Sequence, residues 1–148
     1  MVQNLRRNGS TDWSTPGGVI DPGETMLGGL TREVREETGL VVVQWEGPAY
    51  VIEAHAVEMD WRLRVEVHRA TIHTGELAID DPDGIVVDAC FLGHDELEKR
   101  VESNQRWVAE PLLGYLADEE PGRSFGYVIR GGHRDNEGNL TPISVNLQ

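Results

Sequence analysis

The chain is poor in cysteine, in long apolar runs and in positive charge, and each shortage removes a class of explanation. A single cysteine, Cys90, excludes an internal disulfide. It lies among Val86, Val87, Ala89 and Phe91 and reads as a small core residue rather than a nucleophile. No apolar stretch approaches the roughly 20 residues of a membrane span, and the N-terminus lacks a signal-peptide core, so a cytoplasmic protein is expected. Lys and Arg number 13 against 26 Asp and Glu, for a net charge of −13. That balance argues against duplex nucleic acid as a partner, and no apolar run points to a membrane. A phosphate-bearing small molecule would also be repelled unless cations bridged it to the protein. There is no repeat, no low-complexity segment and no evident domain boundary. A length of 148 residues, 39% hydrophobic and 26% charged, suits one globular domain.

What the chain has in concentration is acid around one loop and one helix. Residues Gly18 to Leu40 read GVIDPGETMLGGLTREVREETGL. Thr25 is placed to cap a helix, Met26 to Thr38 has helical periodicity, and Gly39 stands where a left-handed residue ends it. The β-branched Val41, Val42 and Val43 then start a strand. At about 100° per residue, Met26, Leu27, Leu30 and Val34 form the stripe expected to face the core. Glu33 and Glu37 fall at the edge of that stripe, and Glu36 lies beside Glu33. Like charges at this spacing repel, and a partly buried carboxylate needs a partner or takes up a proton. A hard divalent cation answers that need, because Mg²⁺ takes carboxylate, water and phosphate oxygens. Pro16, Gly17 and Gly18 bend the backbone tightly and offer a carbonyl oxygen to the same ion. A solvated acidic helix balanced by Arg32 and Arg35 accounts for the charge pattern equally well.

The spacing separates these readings. Gly18, five residues, Glu24, seven residues, and then Arg32-Glu33-Val34-Arg35-Glu36-Glu37-Thr38-Gly39-Leu40 resembles without a gap the signature of the Nudix hydrolase family, G-x5-E-x7-R-E-U-x-E-E-x-G-U. Trp13-Ser14-Thr15-Pro16-Gly17 and Pro22-Gly23-Glu24 are similar to the family's flanks, and the likeness extends over about residues 1 to 118. The resemblance implies an α/β fold, an α/β/α sandwich with a central mixed sheet. It also implies a metal-dependent hydrolase in which water attacks phosphorus in the diphosphate linkage of a nucleoside diphosphate derivative. Nucleoside triphosphates and nucleotide sugars such as ADP-ribose are comparable candidates. Mg²⁺ or Mn²⁺ would be held by Glu33, Glu36, Glu37 and the Gly17 carbonyl. Arg32 would orient Glu24 and Glu33, and Glu24 would fix the loop. The general base stays open between Glu36 and the segment Asp81 to Asp88. The alternative reading is a non-catalytic nucleotide-binding sensor of the same family.

The chain also departs from the family's pattern. The strand and hairpin usual before the signature are short here, so that edge is expected to be truncated or completed by another segment, such as the second subunit of a homodimer. Gly28 and Gly29 cost the helix about 1 kcal/mol each relative to alanine. Gly29 is read as permitting close packing on the sheet, whereas Gly28 has no evident reason. Ile85 stands where the family often supplies a further glutamate, leaving Asp83, Asp81 and Asp88, in that order, as substitutes.

The remaining segments read as framework. Val41 to Trp45, Ala49 to His55 and Trp61 to His73 are predicted strands. In the last, Trp61, Leu63, Val65 and Val67 alternate with Arg62, Arg64, Glu66 and His68. A polar face turned to a cleft would let Arg62 and Arg64 bind substrate phosphates or ribose; a solvated face is the plainer expectation. Trp13 either stacks on a base or closes the core. Then follow a turn over Gly75 to Gly84, a buried strand Ile85 to Leu92, a helix capped by Asp95, and a helix from Asn104 to Asp118 kinked or broken at Pro111. Residues 119–148 hold one strand, Phe125 to Ile129, and a polar tail from Gly131 to Asn139.

Overall fold

The computed structural model describes residues 1–118, 120–132, 141 and 143–147. The elements in order are β1 (Val2–Leu5), β2 (Thr11–Ser14), α1 (Met26–Thr38), β3 (Val41–Ala56), β4 (Trp61–Thr74), β5 (Val86–Ala89), α2 (His94–Val101), α3 (Arg106–Asp118), β6 (Arg123–Arg130) and β7 (Ser144–Leu147). The strands form two sheets, ordered β2-β1-β5 and β4-β3-β6-β7. The first is antiparallel; in the second, β6 runs parallel to β3 and antiparallel to β7, the mixed sheet expected of an α/β fold. The residues fall into two compact units, Met1–Glu46 with Ala70–Asn104, and Gly47–Arg69 with Gln105–Gln148. No helix among the described residues is long and apolar enough to cross a membrane.

In the first unit, β1 pairs with β2 as a hairpin, Val2 opposite Ser14 and Leu5 opposite Thr11. Gly9, at φ +83°, supplies the left-handed residue of its turn. The segment Val2–Leu5 is therefore half of a hairpin, and β5 pairs along its other side. Only Val86 of the segment expected to be a buried strand is buried. Ile85, Val87 and Phe91 are exposed, as an edge strand permits. Gly93, not Asp95, is the cap residue of α2, and Asp95 lies in its first turn.

Helix α1 begins and ends where local chemistry dictates. The Thr25 hydroxyl accepts from Gly28 N at 3.1 Å, and Gly39 closes the helix at φ +76° with its N–H on Arg35 O. A Cβ on Gly28 would lie 2.8 Å from Thr25 Oγ1, so that glycine clears the capping hydroxyl. A Cβ on Gly29 would meet Ile20 and Glu24 at 2.8 and 2.9 Å, so this glycine makes room for the preceding loop rather than for a sheet. The buried positions are Gly29, Val34 and Thr38, whereas Met26 and Leu27 are exposed, which narrows the expected stripe. Val34 packs with Leu40 and Val42, and Leu30 and Trp45 lie against that cluster. Beyond the helix, Ala78 N donates to Thr38 O and Asp80 N to Glu36 O, both at 2.9 Å. The segment after β4 thereby satisfies carbonyls that a helix end leaves unpaired.

The second unit is built on the pairing of β3 with β6, Tyr50 opposite Arg123 through Ala56 opposite Ile129. Tyr50 packs on Tyr115 and edge-on to Phe125, with ring centroids 5.9 and 6.2 Å apart. Helix α3 runs through the buried Pro111 as one element, so of the expected kink or break the break is absent. The two strands expected between Val41 and His55 are one, β3. The alternation read in β4 fails, because Leu63 is exposed while Glu66 and His68 are enclosed as a pair 3.4 Å apart. Strand β7 lies beyond the tail read over Gly131 to Asn139, where no second strand was expected, and residues 133–140 lie outside the described residues.

Candidate active site

The acids and the glycine loop lie in the first unit. Gly17 N donates to Glu37 Oε2 at 2.8 Å, joining the loop to the last turn of α1. A Cβ on Gly18 would fall 2.5 to 2.7 Å from the Glu33 carboxyl atoms, so Glu33 lies against bare backbone. Arg32 is the hub between them. Its Nε and Nη2 hold the two Glu24 oxygens at 3.0 Å each, and its Nη1 reaches Glu33 at 3.0 Å and Glu36 at 3.2 Å. Glu24 also accepts from Asp21 N, which fixes the turn Asp21–Glu24. The Arg32 contact, with that backbone bond, holds the Glu24 carboxyl below its ordinary range.

Glu37 behaves oppositely. Burial pushes its carboxyl up to about 7, against the pull of the Gly17 N–H and with help from the charges of Glu33, Asp81 and Glu36. The half-buried acid thus lacks a full positive partner. Among the described residues no three His, Cys, Asp or Glu side chains stand in a metal-binding arrangement. Arg32 engages Glu33 and Glu36, and Gly17 N donates to Glu37. The donors on offer are nevertheless hard oxygens crowded beyond their counter-charge, which fits a divalent cation such as Mg²⁺.

The other expected site residues are placed differently. Asp81 accepts from the backbone N–H groups of Asp83, Ile85 and Val86 at 3.0, 2.7 and 2.8 Å, so its carboxylate is spent on its own turn. Asp83 is exposed beside it, and Asp88 accepts from Ala89 N. Trp13 is buried with the Arg100 guanidinium 4.5 Å over its ring, which favours its role in the core over stacking on a base. Arg62 and Arg64 belong to the second unit, and Arg64 is engaged by Glu66 and, at 3.7 Å, by Glu53. The ranking of aspartates passed over Asp80. With Arg35, Glu36, Gly39, Ala78 and Pro82 it lines a cavity of about 390 Å³ beside the helix. The only signal for it in the sequence was its place next to Asp81; the backbone bond to Glu36 that fixes it is tertiary.

Known proteins fit this picture. The sequence profile of the NUDIX domain matches residues 1–111. Over 58 residues, 34% of this chain and 18% of that protein, the chain is 36% identical to 8-oxo-dGDP phosphatase NUDT18 of Homo sapiens. Over 41 residues, 28% of this chain and 13% of that protein, it is 42% identical to NUDT18 of Mus musculus. The matched stretches are thus small parts of those longer relatives. The crystal structure of the mutator MutT protein from Bacillus halodurans superposes with a TM-score of 0.59 at 19% identity, covering 98% of this chain and 88% of that one, a likeness of fold. A profile that runs from the first strand into α3, over a fold of the MutT kind, means that the chain belongs to the NUDIX domain family.

Proposed function

We propose that the chain is a metal-dependent hydrolase that cleaves the diphosphate linkage of a nucleoside diphosphate derivative. The observation that carries this reading is Glu37, held half-buried beside Glu33 and Glu36 with only a backbone N–H for support. Glu33, Glu36, Glu37 and the Gly17 carbonyl are the groups that would hold Mg²⁺ or Mn²⁺. When bound, such an ion neutralises phosphoryl charge and makes a water nucleophilic. Arg32 keeps Glu24 and Glu33 in register, and Glu24 keeps the loop turn closed. Glu36 and Asp80, which line one cavity, are the carboxylates offered to take the proton of the attacking water.

The named activity of the NUDT18 relatives puts oxidised purine nucleotides first among substrates, with nucleotide sugars such as ADP-ribose second. We take the protein to act on free nucleotides in the cytoplasm. The test is a panel of nucleoside di- and triphosphates, oxidised forms and ADP-ribose with Mg²⁺ or Mn²⁺, run on the parent and on Glu37→Gln. Turnover in the parent that disappears in the variant supports the enzyme.

Two observations favour the sensor reading. Arg32 already engages Glu33 and Glu36, and Asp81, the loop acid nearest in charge to Glu37, is committed to three backbone amides. Tight nucleotide binding without turnover in the parent would decide for the sensor.

A further inference from the structure

The acids of α1 work only if the helix is held at one rotation about its axis, and its apolar face is a weak means of holding it. Met26 and Leu27 are exposed, and Val34 is the one large buried side chain the helix contributes. Apolar contact is also non-directional. A directional contact exists on the opposite side of the helix from Glu33. Trp45, at the end of the β3 segment in this unit, donates its indole Nε1–H to Thr31 Oγ1 at 2.9 Å. The same hydroxyl donates to Leu27 O at 2.7 Å, so its proton is committed and its lone pair is aimed at the indole. Thr31 and Glu33 are two residues apart, about 200° around the helix. Trp45 also lies against the cluster of Val34, Leu40 and Val42 together with Leu30. On its far side, Leu30 Cδ1 would stand 3.3 Å from a Cβ on Gly17.

We propose that Trp45 and Thr31 are positioning residues that set the rotation of α1, and through it the aim of Glu33, Glu36 and Glu37 at the Gly17 loop. With side chains a helix is about 10–12 Å across, so a turn of roughly 10° moves a carboxylate at its rim by about 1 Å. A displacement of that size costs up to about a hundredfold in rate. The indole bond opposes such a turn, because rotating the helix lengthens it and bends it away from linearity. This inference rests on the hydrolase reading of the acidic helix, and the experiment separates the two.

The variants are Thr31→Val, which keeps shape and removes the acceptor, Thr31→Ser, which restores it, and Trp45→Phe, which keeps the ring and removes the donor. The readouts are the Mn²⁺ binding midpoint by electron paramagnetic resonance, kcat and KM on the substrate found for the parent, and the melting temperature. The expected result is a fall in kcat of about tenfold to a hundredfold in Thr31→Val and Trp45→Phe, with KM retained and Mn²⁺ bound several-fold more weakly. Thr31→Ser should match the parent, and all three should melt cooperatively. Folded Thr31→Val and Trp45→Phe with the parent's kcat and Mn²⁺ midpoint would overturn the inference. So would a Thr31→Ser that fails as badly as Thr31→Val. A parent that neither binds Mn²⁺ nor turns over any nucleotide would instead sink the hydrolase reading itself.

Discussion

Gly17 and Glu37, twenty residues apart in sequence, meet through a backbone N–H donated to a carboxylate at 2.8 Å. One bond closes the glycine loop onto the helix and leaves the acid in it short of positive charge.

Gly18→Ala should separate stability from activity. Its Cβ would fall 2.5 to 2.7 Å from the Glu33 carboxyl, the far end of a flexible side chain that can swing away. The fold is expected to survive with a melting temperature near the parent's, while kcat falls by up to about a hundredfold because Glu33 is displaced. Thermal melts beside steady-state kinetics check this.

Arg32→Lys should weaken metal binding and turnover about tenfold to a hundredfold, because an ammonium cannot grip both Glu24 oxygens while reaching Glu33 and Glu36. In the parent, Mg²⁺ is expected to raise the melting temperature, and a chelator to reverse that gain and abolish turnover. Calorimetric melts with and without Mg²⁺ are the measurement.

Asp81 gives the acid side of the stability profile a definite sign. Burial raises its carboxyl, but the N–H groups of Val86, Asp83 and Ile85 outweigh this and leave it below the ordinary 3.8. A carboxyl depressed by folding adds stability that is fully present above 3.8 and is lost as pH falls through the folded value. Asp81→Asn should therefore be less stable than the parent at neutral pH and should lose less on acidification below that value. Urea midpoints from pH 7 to 2.5 would show the two curves converging; parallel curves would refute the assignment.

Val34→Ala should cost about 2 kcal/mol, the transfer and cavity terms for a buried branched side chain. Val34 is 5% exposed within the cluster that seats α1, so activity should fall with stability. Chemical denaturation gives the first quantity and kcat/KM the second.

The bounds of α1 and the place of its acids were legible because caps are local: a threonine hydroxyl and a glycine at positive φ act within one helical turn. The spacing of glycine, glutamates and arginine was legible for the same reason, since it fixes which side chains share a helix face. The exposure of Met26 and Leu27 was not legible, because burial depends on what comes to cover a face, and periodicity describes only the face. Nor was the spending of Asp81 on three amides, which depends on how its turn closes. The pairing of β1 with β5 joins residues nearly ninety positions apart, as in the Met1 N to Cys90 O bond of 2.8 Å, and nothing in either segment names its partner.

By itself, then, the sequence determined a capped acidic helix behind a bent glycine loop, and with it the family. Tertiary structure decided that Gly17 closes on Glu37 and that Trp45 reaches Thr31. Those are contacts between distant segments, chosen when the whole chain packs and each buried polar group must find a partner.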